Sequence, residues 1–175
     1  MFKKILLGVA ILIVGVLGYA TTQPDSFSVE RRTTIGASPE KIYPHIADFR
    51  RWQAWSPWAR LDTAMVLTIS DPSSGSGATY EWKGNSDVGT GKMEIVESTP
   101  SSGVTIKLDF QEPIESHNTT VFTLIPNGTG TDVTWRMSGP ANYLSKLMST
   151  FVSMDKMVGG DFERGLQQLK VVAEQ

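Results

Sequence analysis

The chain has 175 residues, 40% hydrophobic and 19% charged, with a formal net charge of −2. That suits one globular domain with a sizeable core and argues against extended disorder. Lys and Arg number 16 against 18 Asp and Glu, with no basic cluster to neutralise phosphates, which excludes nucleic acid as a partner; cysteine is absent, which excludes disulfides, thiolate metal sites and a thiol nucleophile.

At the N-terminus, Met1-Phe2-Lys3-Lys4 precedes sixteen uncharged residues, Ile5 to Ala20, and a polar stretch follows. As a helix those sixteen reach roughly 24 Å, close to the ~30 Å of a bilayer core once their neighbours contribute. A segment apolar on every side is directed to a membrane, because a surface helix keeps a polar face. Residues 1–22 are therefore read as a transmembrane anchor, 23–26 as a linker and 27–175 as the folded domain. Lys3 and Lys4 predict a cytoplasmic N-terminus and an extracytoplasmic domain. The alternative is a signal peptide cut near Ala20, after the small-x-small run Gly18-Tyr19-Ala20, which would release a periplasmic or secreted domain.

After the linker the period changes to two: Phe27, Val29, Arg31, Thr33 and Ile35 alternate with polar residues, as in a half-buried strand. Ser38 as N-cap and Pro39 at the first helical position open a helix whose apolar face is Ile42, Tyr43 and Ile46. Asp48 restarts the chain as a second cap. The short helix it opens carries Trp52 and Trp55 on one face until Pro57 ends it, leaving Trp58 to fold back as part of a tryptophan lid. Six strands are predicted at 65–70, 78–83, 91–97, 104–110, 116–125 and 132–138, separated by turns rich in Pro, Gly, Asn and Ser. They form an antiparallel meander. Tyr80, Trp82, Met93, Ile95, Val104, Ile106, Leu108, Phe110, Val133, Trp135 and Met137 face one side, and Glu81, Lys92, Glu94, Lys107, Asp109, Thr134 and Arg136 the other. A cover for the dry face follows, since Leu144, Leu147, Met148, Phe151, Met154, Val158, Phe162, Leu166, Leu169 and Val172 recur every three or four residues. This predicts one helix of nearly thirty residues, with a kink or a very close strand approach at Gly159-Gly160.

The fold class is therefore α+β: a seven-stranded curved antiparallel sheet wrapped around a long C-terminal helix, with two short helices after the first strand and an N-terminal transmembrane helix. Over residues 27–174 the chain resembles the SRPBCC, or START-like helix-grip, superfamily, and within it the bacterial polyketide cyclase/dehydrase-like proteins. The resemblance rests on Ala37-Ser38-Pro39-Glu40-Lys41-Ile42-Tyr43, on Asp48-Phe49-Arg50-Arg51-Trp52-Gln53-Ala54-Trp55-Ser56-Pro57-Trp58, and on the run Asp155 to Leu166. It implies a deep hydrophobic pocket between sheet and C-terminal helix for lipids, sterols, polyketides or other apolar molecules. The candidate lining is Trp52, Trp55, Trp58, Tyr80, Trp82, Ile106, Phe110, Phe122, Trp135, Met137, Phe151 and Met154.

Catalytic and metal signals are weak. The two histidines, His45 and His117, are far apart in sequence and lack metal-ligand spacing, so neither a metal nor another cofactor is expected. Ser153-Met154-Asp155-Lys156 matches Ser-x-x-Lys without its partner motifs, and Gly89-Thr90-Gly91-Lys92 precedes a strand where a phosphate loop requires a helix. Arg31 on the inner face is a candidate holder of a ligand carboxylate, against a strand-edge arginine reaching water. Three functions stay open: a membrane-tethered binding module for a hydrophobic small molecule or lipid, a polyketide cyclase/dehydratase-like enzyme with no recognisable catalytic constellation, and a structural or interaction domain without a ligand.

Overall fold

The structure, a computed structural model, describes residues 2–175. Its elements in chain order are α1 (Phe2–Thr21), β1 (Ser26–Ile35), α2 (Pro39–Ala47), a 3-10 helix (Phe49–Ala54), β2 (Val66–Ile69), β3 (Thr79–Lys83), β4 (Thr90–Thr99), β5 (Gly103–Glu112), β6 (Ser116–Pro126), β7 (Thr131–Pro140), α3 (Tyr143–Ser149) and α4 (Met154–Ala173). The seven strands form one antiparallel sheet in the order β1-β7-β6-β5-β4-β3-β2. Each predicted strand is present with ends moved by a few residues, and the predicted dry face is the buried one. The opposite face is laced by ion pairs such as Lys92–Glu81 at 3.0 Å and Lys107–Asp109 at 2.9 Å.

The helix α1 is long and apolar enough to cross a membrane, and its large side chains stand exposed. The Thr21 and Thr22 hydroxyls close its last turn by donating to the carbonyls of Gly18 (2.7 Å) and Tyr19 (2.8 Å), acceptors a helix end otherwise leaves open. At the other end of the chain, α4 lies along β1 with Phe162, Leu166 and Leu169 turned into the core.

Two sequence expectations are corrected, and at Gly159-Gly160 one of the two expected alternatives is found. The single C-terminal helix of nearly thirty residues is two helices, α3 and α4, separated at residues 150–153. Ser153 adopts extended backbone and its hydroxyl accepts from the Lys156 amide, an N-cap that begins a new helix in place of continuing the old one. At Gly159-Gly160 helix α4 continues unbroken, and close approach is the reason for the first glycine: a Cβ on Gly159 would collide with the Arg31 guanidinium. Lastly, the segment after Asp48 is a 3-10 helix that ends at Ala54, ahead of Pro57. Asp48 accepts from the Arg50 amide as the predicted cap. The helix tightens because its tryptophans are fastened elsewhere: the Trp52 indole N–H donates to Ile46 O and that of Trp55 to His45 O, both at 2.9 Å. Those are carbonyls of the last turn of α2, so the two tryptophans cap the preceding helix.

Candidate functional site

Burial along the inner face falls off from one end of the sheet to the other. At one end, Ile35, Ile95, Val104, Leu124 and Val133 are all buried. At the other, the register sets Phe27 against Gly139, Leu108 against Asn118, Phe110 against Ser116 and Gly91, and Trp82 against Gly91 and Leu67. These partners lie in two adjoining register rows at that end of the sheet, together the open row, in which Phe27, Leu108, Phe110, Trp82 and Leu67 remain only half-buried. Trp82 and Phe110 meet edge to face at 5.5 Å, and the Trp82 indole N–H donates to Val88 O at 3.0 Å. Gly91 makes room for them, since a Cβ there would stand 2.5 Å from the Trp82 ring.

Between this open end and the buried one stands an aromatic plug. Trp135 and Phe162 stack at 4.2 Å with their planes 9° apart, joining β7 to α4. Trp58 meets both edge-on, Trp55 packs on Trp135 at 5.7 Å and on Phe122 at 6.0 Å, and Trp52 packs on Trp55 at 4.9 Å. Gly165 lets α4 approach, because a Cβ there would lie 2.7 Å from the Trp135 ring. The plug is core packing: Trp52, Trp55, Phe122, Trp135 and Phe162 are all buried. Of the expected lid, only Trp58 is partly exposed.

Of the twelve candidate lining residues, Trp52, Trp55, Trp58, Phe122 and Trp135 meet in the plug, with Tyr80 at its margin, 6.5 Å from Trp52 and 6.3 Å from Trp82. Trp82 and Phe110 form the open row, Ile106 and Met137 are buried in the sheet, and Met154 is half-buried at the start of α4. Phe151 is not brought to the others. It is 71% exposed, in the loop that interrupts the expected helix. The structure adds residues outside the candidate lining: Phe27 and Leu108 in the open row, Asn118 beside it, and Gly91 and Gly165 beneath aromatic rings. A glycine at an inward position of a strand, facing Trp82 and Phe110 across two hairpins, was the legible signal for Gly91.

Few polar groups enter the concavity. Arg31 points to α4 and is held by Asp155 at 2.7 Å and Glu163 at 2.6 Å. Its hydrogen bonds to those carboxylates, Asp155 first, raise its pKa and hold Asp155 below the ordinary carboxylate value, so the inner-face arginine is a clamp on the helix with its charge already matched. Burial pushes the Tyr80 hydroxyl up to about 12, and it accepts from Gln53 Nε2 at 3.2 Å. Two buried atoms on this face have no hydrogen-bond partner, Trp135 Nε1 and Asn118 Oδ1. His45 belongs to α2 beside the plug, its pKa lowered by burial and then by the charge of Arg51. His117 is exposed on the wet face, where its Nδ1 meets Asp109 at 2.8 Å. There it borders a shallow groove of about 610 Å³ with Ser26, Ser28, Arg136 and Ser138. A second depression, about 240 Å³, lies between Arg60 and the outer side of α4 at Gln168 and Val171. Neither lies between sheet and helix. No group of three or more metal-ligating side chains occurs among the described residues.

Comparison with solved structures places the architecture. Protein CV1439 from Chromobacterium violaceum superposes with a TM-score of 0.58 at 16% identity, covering 87% of this chain and 99% of that one. A protein of unknown function from Staphylococcus aureus gives 0.61 at 14% identity, covering 85% and 94%. The di-domain ARO/CYC protein StfQ from the steffimycin biosynthetic pathway gives 0.61 at 12% identity, covering 85% of this chain and 51% of its own length. At these identities the likeness is one of fold. A search of curated proteins returns no match. The family model for polyketide cyclase/dehydrase and lipid transport proteins matches residues 26–174, and a seven-stranded antiparallel sheet gripping a C-terminal helix is what that match requires, so the chain belongs to this family of the SRPBCC superfamily.

Proposed function

We propose that the protein is a membrane-tethered binding module that takes an apolar small molecule or lipid at the open end of its concave sheet. The observation that carries this reading is the direction in which the concavity opens. The row Phe27, Leu108, Phe110, Trp82 lies at the strand ends where α1 enters β1 and where β7 leaves for α3. The Ala141 amide donates to Asp25 O at 2.8 Å and ties those two connections together. An anchored domain would thus present its half-buried apolar face toward the bilayer, where apolar ligands concentrate. Lys3 and Lys4 at the far end of α1 support a cytoplasmic N-terminus and an extracytoplasmic domain.

The polar groups favour binding over turnover. A cyclase- or dehydratase-type reaction needs a group at the open row that titrates near neutrality, whereas Arg31 is matched by two carboxylates, Tyr80 stays neutral and His45 belongs to α2, outside that row. The unpaired Asn118 acceptor beside the open row suits a mostly apolar ligand with a hydroxyl at one position. The test is titration of the full chain, held in amphipol, with a brominated fatty acid while tryptophan fluorescence is recorded. Saturable quenching that Leu108→Arg abolishes without moving the urea midpoint is the expected result. Non-saturating quenching, identical in both proteins, would overturn the reading.

A further inference from the structure

We infer that α3 and the loop that follows it, Phe151 and Val152 foremost, form an interfacial foot that inserts into the same bilayer leaflet beside α1. This deepens the function proposed above and rests on α1 being retained in a membrane.

The helix α3 contributes no buried residue. It packs against α1, and the Tyr143 hydroxyl donates to Leu17 O in the last turns of that helix at 3.2 Å. The ten residues 143–152 include Tyr143, Leu144, Leu147, Met148, Phe151 and Val152 and no acidic residue. Their single charge, Lys146, is paired with Asp25 in the linker. Phe151 is 71% exposed, and Tyr143, Leu144, Met148 and Val152 are 40–48% exposed. Such a cluster exceeds the scattered apolar residues of an ordinary soluble surface.

Its position commits it to one occupant. The cluster is continuous with the apolar surface of α1, at the end of that helix where hydrocarbon gives way to polar chain at Thr21 and Thr22. Tyrosine is characteristic of that depth, with its ring among acyl chains and its hydroxyl among polar groups. A short apolar element without acidic residues, lying where a span leaves the membrane, has the chemistry of an interfacial anchor. The cap on α4 serves the same arrangement: Ser153 ends the loop and lets the chain turn back over the sheet, so Phe151 stays outside and Met154 goes in. With α1 as one point of attachment and the foot as a second, the domain is held with its open row facing the lipid, and it does not swing on the linker.

The cysteine-free chain makes the test direct. Single-cysteine variants Phe151→Cys, Val152→Cys, Leu12→Cys and Val96→Cys are spin-labelled in the full chain, reconstituted in phosphatidylcholine–phosphatidylglycerol vesicles, and read for collision with oxygen against a water-soluble nickel chelate. Phe151 and Val152 are loop residues, so their replacement leaves the core intact, and Val96 is an exposed residue of β4. The inference expects oxygen-dominated collision at 151, 152 and 12 and nickel-dominated collision at 96. Nickel-dominated collision at 151 and 152 with oxygen-dominated collision at 12 would overturn the foot and leave the anchor standing. Low accessibility to both reagents at 151 would overturn it in favour of a second copy of the chain covering this surface. Nickel-dominated collision at 12 as well would remove the anchored reading and the foot together.

Discussion

Phe151 and Phe162 belong to one hydrophobic stripe in the sequence, yet they have opposite surroundings, so truncating each separates core from surface. Phe162 is 1% exposed and stacked on Trp135 at 4.2 Å. A buried phenylalanine removes roughly 150–250 Å² from water. At about 25 cal/mol per Å² that amounts to some 4–6 kcal/mol, an upper bound because the unfolded chain is already partly compact. The stacked pair adds about 1 kcal/mol. Phe→Ala changes in cores cost about 3–5 kcal/mol, so Phe162→Ala is expected to cost about 4 kcal/mol, a large share of the ~5–15 kcal/mol that holds a domain together. Phe151→Ala should stay within about 0.5 kcal/mol. Urea unfolding followed by tryptophan fluorescence and near-ultraviolet circular dichroism measures both. The Phe162 variant should keep its cooperative transition at a lower midpoint and lose much of the aromatic dichroism of the plug. A loss below about 1 kcal/mol at Phe162, or equal losses at the two sites, would refute the assignment of the plug as core.

Gly91→Ala should displace the Trp82 ring, since the new Cβ would also lie 2.6 Å from Asp109 O; a loss of about 1–3 kcal/mol and a shifted Trp82 indole resonance are expected, and an unmoved resonance would contradict the packing. The Asp155 carboxyl is held below its ordinary value of 3.8 by Arg31, so the clamp contributes fully above that value and is lost as pH falls through the lowered one. Hydrogen-exchange protection factors at the α4 N-terminus, corrected for the intrinsic pH dependence of exchange, should therefore fall only below about pH 4, a dependence absent from Arg31→Met. His45 is held below 6.5 in the folded protein, so the unfolded chain takes up the proton first and stability should decline as pH falls below about 6.5. In His45→Gln the decline of the urea midpoint between about pH 7 and pH 5 should flatten; an unchanged slope would assign it to another group.

Periodicity made the sheet legible. The alternation at Tyr80-Glu81-Trp82 and Val133-Thr134-Trp135 marks one side of each strand, and short polar turns leave little choice of partner. The break in the C-terminal helix was not legible, because the stripe from Leu144 to Val172 keeps its spacing through Phe151 while a single serine hydroxyl at Ser153 decides that the chain turns. Spacing also cannot tell lining from filling. Trp52 and Trp55 are read from the sequence as part of a lid, but whether a ring bounds a space or occupies it depends on what approaches from across the sheet. Here Phe162 and Trp135 approach, and the rings interlock. The open row was hidden for a related reason: Leu108 and Phe110 alternate just as Val104 and Ile106 do, and they differ only in what three-dimensional packing leaves uncovered.

The strand order carries a consequence for how the molecule is made. Strands β2 through β7 pair with sequence neighbours, so each hairpin can close as soon as its second strand is available. The exception is β1, which pairs with β7, so that Arg31 meets Trp135 across about a hundred intervening residues. During synthesis β1 is complete early and waits, its hydrogen-bonding edge unsatisfied, until β7 follows. The clamp between Arg31 and α4 comes later still, because its carboxylates lie beyond β7. The first strand to be made is thus the last to be paired, and it is where an interrupted or slowed chain would be most open to misassembly.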